Sequence, residues 1–296
     1  MARKLALSEL PLIGIVGPTA SGKSGIAIEL AEHYNGEIIC ADSRTIYKGL
    51  DIGTAKPSKA DQAKVPHWGL DIITPDETYS AADFKTYAVQ KIAEIRARGH
   101  VPFLVGGTGL YIDSVIFDYQ FGLPVDPKKR AELEQLTLQE LYNYCIQNNI
   151  ILPENDKNKR YIIRAIEQKG ISGKRLDTPI NNCIIVGITT ETEHLYKRIK
   201  DRSEQLFDDG VVQEAKTLGD TYGWESAAMT GNIYRLSRLY LNKEITMAEL
   251  IHRFEISDRQ LAKRQLTWLK RNHFIMWFPL KDLVGEVKKY MAERLI

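Results

Sequence analysis

Cysteine is scarce in this chain of 296 residues, and long apolar runs are absent from its sequence. The three cysteines, Cys40, Cys145 and Cys183, lie far apart and form no C-x-x-C pair, which argues against a disulfide framework or a zinc site and indicates a reducing cytosol. No stretch is apolar over the length that crosses a bilayer, and the short apolar part of the N-terminus carries Glu9. We therefore expect no membrane partner, no signal peptide and a cytoplasmic protein.

Net charge is also low, at +2, but the basic residues are unevenly spread. Residues 157–175 contain seven Lys or Arg against the single acid Glu167, and residues 259–271 contain five against none. Local basic surfaces on a nearly neutral chain suit a polyanion that binds part of the protein. Each run taken alone fits a solvated helix face equally well.

What the sequence does contain is a phosphate-binding motif with the spacing G-x-x-x-x-G-K-[ST]. The motif consists of Gly17, Pro18, Thr19, Ala20, Ser21, Gly22, Lys23 and Ser24. Such a loop points backbone N–H groups at one centre and opens into a helix N-terminus, so with Lys23 it forms a seat for two linked phosphates. The Ser24 hydroxyl is placed to help hold Mg²⁺. The motif predicts a diphosphate or longer among the substrates, but it does not say which bond breaks.

The order of apolar and helical segments predicts a parallel sheet. Short apolar runs at 12–16, 37–42 and 101–105 are separated by helical patterns, one of which opens with a capping box at Ser80. This alternation predicts an α/β fold, a P-loop NTPase-like parallel sheet flanked by helices. Residues 49–79 show little periodicity, and a loop of that length is typical of substrate binding.

The pattern changes in the middle of the chain. Residues 118–180 offer helical stretches at 127–148 and 157–169 and no convincing strand, and an apolar strand resumes after them. We therefore predict a core domain made of 1–117 and 181–296, with 118–180 as a helical insertion.

Polar residues also follow the second and third predicted strands. Asp42 directly follows one of them, and Thr108 lies just after the other. Because the carboxyl ends of parallel strands meet at one edge of a sheet, we expect both residues near the phosphate loop. Taken alone, Asp42 fits two roles equally well, as a carboxylate beside a reacting nucleophile or as a holder of water on Mg²⁺.

Longer strings in this sequence match those of a known family. They are residues 17–24, 41–44, 47–57, 65–67, 79–82, 105–111 and 262–268. In these strings, which keep the family's order between about residue 11 and residue 278, the sequence resembles the tRNA dimethylallyltransferases, also called tRNA isopentenyltransferases.

The resemblance implies a chemistry that the phosphate motif can serve. The family transfers the dimethylallyl group of dimethylallyl diphosphate to N6 of the adenine just 3′ of the anticodon, and pyrophosphate leaves. Negative charge that grows on the leaving diphosphate would be stabilised by N–H dipoles, Lys23 and Mg²⁺. The target base must be turned out of the anticodon loop to reach the strand ends. The expected partners are dimethylallyl diphosphate and the anticodon stem-loop of tRNA, bound by a monomer.

The same resemblance implies roles for individual residues. The catalytic set is Asp42, Thr108 and Lys23, with Asp42 accepting a proton from the adenine amine. Residues 17–24 together with Arg164 would bind the diphosphate, and Ser24 would bind the metal ion. The implied tRNA contacts are Asp42, Ser43, Arg44, Thr45, Thr108, Arg130, Arg160, Tyr161 and Arg164.

Several positions depart from the family pattern. Thr45 stands where the family usually has Gln, so it lacks an amide that could read a base edge. In the insertion, the arginine before Arg164 lies four residues upstream instead of three, with Tyr161 in its usual place. Thr230-Gly231-Asn232 replaces the frequent Ile-Gly-Tyr. These differences affect the predicted RNA contacts and leave the diphosphate motif unchanged.

Two other functions fit part of the sequence. The phosphate motif alone fits a small-molecule kinase, which would consume ATP and phosphorylate a metabolite. A GTP-dependent switch is disfavoured because the sequence has no N-K-x-D string to read guanine. Consumption of dimethylallyl diphosphate or of ATP in the presence of tRNA would separate these hypotheses.

Overall fold

The computed structural model describes residues 10–122, 125–169 and 174–294. Within them, six strands form one sheet in the order β3-β2-β4-β1-β5-β6, and every neighbouring pair is parallel. The strands are β1 (Leu12–Val16), β2 (Gly36–Ala41), β3 (His67–Trp68), β4 (Val101–Gly106), β5 (Cys183–Thr189) and β6 (Ile275–Pro279). The predicted α/β fold with a parallel sheet is confirmed.

Helices flank this sheet and are numbered in chain order. Outside residues 117–177, the described helices are α1 (Lys23–His33), α2 (Lys59–Lys64), α3 (Ala81–Ala97), α4 (Gly109–Ile116), α8 (Thr192–Asp208), α9 (Val211–Tyr222), α10 (Asn232–Leu241), α11 (Met247–Leu269) and α12 (Leu280–Arg294). The capping box predicted at Ser80 is present, since the Ser80 and Asp83 side chains each accept from the other's backbone N–H. Among the described helices, none combines the length and the apolar character needed to cross a bilayer.

Strand register brings the carboxyl ends of the central strands level with one another. Val16, the last residue of β1, pairs with Gly106 of β4 and Gly187 of β5, and Ala41 at the end of β2 also pairs with Gly106. The strands themselves are buried apolar runs. The polar segments that follow β1, β2 and β4 therefore emerge at one edge of the sheet, as predicted.

Residues 49–79 are less irregular than the sequence suggested. They contain α2, which begins after an N-cap at Ser58 that accepts from the N–H of Asp61, and the short edge strand β3. The prediction of one unbroken loop is wrong for these parts, because a six-residue helix and a two-residue strand leave almost no periodicity to detect.

The chain forms two compact units, one of Met1–Ile116 with Thr178–Ile296 and one of Phe117–Asp177. The second unit contains α5 (Pro127–Gln135), α6 (Leu138–Gln147) and α7 (Lys159–Glu167) around a small apolar core. The single helical stretch predicted at 127–148 is wrong. Leu136 is extended, and Thr137 starts a new helix through a capping box with Glu140.

Candidate active site

The phosphate loop joins β1 to α1 and leaves the start of that helix open. Gly22, the N-cap, has φ 92° and supplies no side-chain cap to the first turn of α1. A turn closes the loop, since the Ser21 N–H donates to the Pro18 carbonyl at 3.2 Å. A Cβ on Gly17 would lie 2.7 Å from the Ser21 hydroxyl oxygen, so this tight loop requires glycine there. The uncapped N–H groups are available to an anion.

Side chains from two distant helices hold the loop in place. Arg198 on α8 donates to the Ser21 carbonyl at 3.1 Å, and Arg202, one turn further along, donates to the Thr19 hydroxyl. The side-chain oxygen of Gln265 on α11 accepts from the Thr19 N–H at 2.8 Å. None of these three residues has a predicted role in the sequence analysis above. Gln265 lies in the matched string 262–268, whereas the two arginines become recognisable only once α8 is placed beside the loop.

One cavity of about 530 Å³ is lined by most of the residues predicted for the site. Its lining includes residues 19–24 of the phosphate loop, residues 42–45 after β2, and Thr108 after β4. It does not include Gly17 and Pro18, which lie in the part of the loop next to β1. Further lining residues that the sequence did not single out are Arg202, Tyr234, Phe254, Asp258, Arg264 and Gln265.

Lys23 carries the main positive charge of the loop. Its ammonium donates to the Pro18 carbonyl at 3.2 Å. Burial lowers the pKa of Lys23 to about 8, the carboxylates of Asp42 and Asp258 oppose that change, and the Arg202 guanidinium adds to it. At neutral pH Lys23 is therefore mainly charged, but a larger fraction of it is uncharged than for an exposed lysine.

The segment after β2 is fixed at both sides. One carboxylate oxygen of Asp42 accepts from the Arg44 N–H at 2.8 Å, and the Thr108 hydroxyl oxygen accepts from the Ser43 N–H at 3.1 Å. The Arg44 guanidinium donates to the Thr230 hydroxyl at 3.0 Å, which ties this segment to the turn that precedes α10. The Thr45 hydroxyl is buried and has no hydrogen-bond partner among the described residues.

A second loop, residues 51–57, forms another part of the cavity wall. Glu214 on α9 accepts from the backbone N–H groups of Asp51, Ile52 and Gly53 at 2.9, 2.7 and 2.9 Å. The Tyr234 hydroxyl donates to the same carboxylate at 2.8 Å. The loop is thus held by a negative group at the point where three N–H donors converge.

Lys56, whose side chain is buried, anchors the C-terminal end of this loop. Its ammonium donates to the carboxylates of Asp51 and Asp71, both at 2.6 Å, and to the Tyr47 carbonyl at 3.0 Å. His67 on β3 also lines the cavity, with one ring nitrogen 2.7 Å from the Val65 carbonyl, and burial lowers the pKa of this histidine.

With the fold and this cavity described, the comparison with known proteins decides the family. The model of the IPP transferase family matches residues 45–272. The chain belongs to the IPP transferase family. This result confirms the resemblance drawn from the sequence and sets aside the small-molecule kinase.

Individual relatives in this family match the chain over almost its whole length. It is 38% identical to the tRNA dimethylallyltransferase of Anoxybacillus flavithermus, over 92% of this chain and 91% of that protein. A solved tRNA isopentenylpyrophosphate transferase from Bacillus halodurans has a TM-score of 0.75 at 35% identity and covers 96% of both chains. A eukaryotic dimethylallyltransferase acting on tRNA has a TM-score of 0.76 at 22% identity over 95% of this chain and 77% of its own, which shows a shared fold.

The remaining predicted residues lie in the second unit, where two of them share a buried acid. Glu167 accepts from the guanidinium of Arg130 through two bonds of 2.6 Å and from Arg164 at 3.2 Å. Burial would raise the pKa of Glu167, but these bonds outweigh burial and lower it. Arg160 and Tyr161 are exposed at the start of α7. The RNA contacts of all four residues, and the diphosphate contact of Arg164, stay predictions.

Proposed function

We propose that this transferase moves the dimethylallyl group from dimethylallyl diphosphate to N6 of the adenosine next to the anticodon, on its 3′ side, in tRNA. The observation that carries the proposal is the single cavity that contains both the open phosphate loop and Asp42. A diphosphate seat and a carboxylate in one cavity suit a reaction in which pyrophosphate leaves carbon while an amine attacks. The names of the relatives, tRNA dimethylallyltransferases, support the same reaction.

The leaving group is handled by the phosphate loop. As the allylic C–O bond breaks, negative charge accumulates on the diphosphate oxygens, and groups already aimed at that position stabilise the transition state more than the ground state. The uncapped N–H groups of α1, the Lys23 ammonium and the Arg202 guanidinium all line this part of the cavity. Because Arg198, Arg202 and Gln265 fix the loop beforehand, little reorganisation is needed when charge develops.

Asp42 prepares the nucleophile. An exocyclic adenine amine is weakly nucleophilic because its lone pair is delocalised into the ring, and a carboxylate that accepts an N6 proton localises that pair as the new bond forms. The bond from the Arg44 N–H holds one carboxylate oxygen of Asp42, and no described residue bonds the other. Thr108 acts on the same segment through Ser43 and so positions Asp42.

The site also suits the Mg²⁺ that we expect with a diphosphate. Ser24 lines the cavity, and hydroxyl and carboxylate oxygens are the ligands Mg²⁺ prefers in proteins. No group of three His, Cys, Asp or Glu side chains in the described residues could bind a metal unaided, so diphosphate oxygens would complete its coordination. When bound, the ion would offset the charge of the leaving group.

The tRNA partner is proposed to meet both the cavity and the insertion. A stacked base must leave the anticodon loop to reach the strand ends. The exposed guanidinium of Arg160 at the start of α7 suits the phosphates that flank that base. We also propose that the protein acts as a monomer in the cytoplasm, where its tRNA substrate is found.

One experiment tests this function directly. Purified protein is mixed with Mg²⁺ and unmodified tRNA, and either dimethylallyl diphosphate or ATP is added. We expect dimethylallyl diphosphate to be consumed, pyrophosphate to be released and the tRNA to gain one dimethylallyl group per molecule. Consumption of ATP with unmodified tRNA recovered at the end would refute the proposal.

A further inference from the structure

Helix α11 presents one acidic side chain to the phosphate end of the cavity. Phe254, Asp258, Leu261 and Gln265 lie on one face of the helix, and all four line the cavity. Asp258 is only 6% exposed. Its carboxylate interacts electrostatically with Lys23, Arg202 and Asp42, so it lies among the groups that receive the diphosphate.

A buried carboxylate in this position needs an explanation. No described residue donates a hydrogen bond to Asp258 or forms an ion pair with it within 4.0 Å. An unpaired carboxylate on the wall of this cavity would repel an incoming diphosphate. A cation between the carboxylate and the diphosphate would remove this repulsion.

We propose that Asp258, together with Ser24, binds the Mg²⁺ that accompanies the diphosphate. Both residues line the same cavity, and together they offer a carboxylate and a hydroxyl oxygen. Mg²⁺ is commonly held by one or two carboxylates, substrate phosphates and several waters, and this donor set fits that pattern. The inference rests on the proposed diphosphate substrate and adds a second protein ligand to its metal ion.

The test measures binding of inorganic pyrophosphate by calorimetry, with and without Mg²⁺. In Asp258→Asn, which keeps the shape of the side chain, we expect the Mg²⁺ concentration for half-maximal binding to rise about tenfold. Binding without Mg²⁺ should stay equal or become tighter, because a repulsive charge is gone. Glu255→Gln is the matched control, since it removes a charge from the same helix at a residue that pairs with Arg259 and does not line the cavity.

Several outcomes separate the explanations. If Asp258 only orients Lys23 and Arg202, Asp258→Asn will weaken pyrophosphate binding equally with and without Mg²⁺, and the proposed metal role is overturned. Asp258→Glu, which restores a carboxylate one methylene further out, should recover part of the Mg²⁺ dependence. If the asparagine variant misfolds, the comparison of Asp258→Glu with the unaltered protein tests the metal role in its place. Failure of the unaltered protein to bind pyrophosphate with Mg²⁺ would refute the proposed function itself, not only this ligand.

Discussion

Lys23 shows how the empty site is prepared for an anion. Its ammonium lies in a partly buried position that favours loss of a proton, and the carboxylates of Asp42 and Asp258 limit that loss. An incoming diphosphate would strengthen the charged form much further, because it places several negative charges beside the ammonium. Binding of the diphosphate and protonation of Lys23 are therefore linked.

This linkage predicts a pH dependence with a definite sign. The Lys23 charge is present below a pH of about 8 and is lost as the pH rises through that value in the free protein. We expect affinity for dimethylallyl diphosphate to fall as the pH rises above about 8, by up to tenfold per pH unit. Calorimetry across this range measures the effect. Lys23→Met should bind more weakly and show no break near this pH, and an identical break in that variant would assign it to another group.

Asp42 makes a separate prediction about the chemical step. Asp42→Asn keeps an oxygen to accept from the Arg44 N–H but can no longer accept a proton from the adenine amine. We expect the single-turnover rate of transfer to fall by about two to four orders of magnitude, with little change in tRNA affinity. A near-normal rate at saturating substrates would remove Asp42 from the proton-accepting role. Loss of tRNA binding alone would give it a contact role instead.

At the scale of elements, the least predictable feature of the site is the contact that holds the loop of residues 51–57. The phosphate loop and the capping box at Ser80 are recognisable because their signals lie within a few residues of one another. Glu214, by contrast, accepts a hydrogen bond from the N–H of Asp51, which lies 163 positions earlier in the chain. Arg202 and Asp258 reach the cavity in the same way, from helices far along the chain. Only the packing of these helices reveals such contacts.

The Glu214 contact predicts how loosening one loop affects the cavity. Glu214→Gln replaces one oxygen by an NH₂ group that faces N–H or O–H donors, so at least one backbone bond is lost. We expect kcat/KM for transfer to fall about tenfold and amide hydrogen exchange at 51–57 to accelerate. Tyr234→Phe, which removes only the fourth donor, should have a smaller effect on both. Unchanged exchange in the Gln variant would show that the loop does not depend on Glu214.

At the scale of the whole molecule, the sequence signals for the two units differ in strength. The sheet unit is marked by a specific motif, by buried apolar strands and by long matched strings, and its site follows from strand order. The insertion has only short helices and a basic run. Part of that run is already engaged, since Arg164 shares Glu167 with Arg130 and the Lys159 ammonium donates to the Glu134 carbonyl at 2.6 Å. Composition alone does not distinguish such side chains from those free to meet RNA.

Salt dependence tests whether the insertion binds RNA. Arg160 is exposed at the start of α7, so a phosphate contact there would release counterions on binding. In Arg160→Ala we expect weaker tRNA binding and a slope of log affinity against log salt that is smaller by about one. Lys200→Ala is the control, because Lys200 is also an exposed cation but lies on α8, outside the insertion. Affinity for dimethylallyl diphosphate should stay the same in both variants. A slope unchanged by Arg160→Ala would make this end of α7 a solvated helix face, and the tRNA contacts would then have to come from the sheet unit.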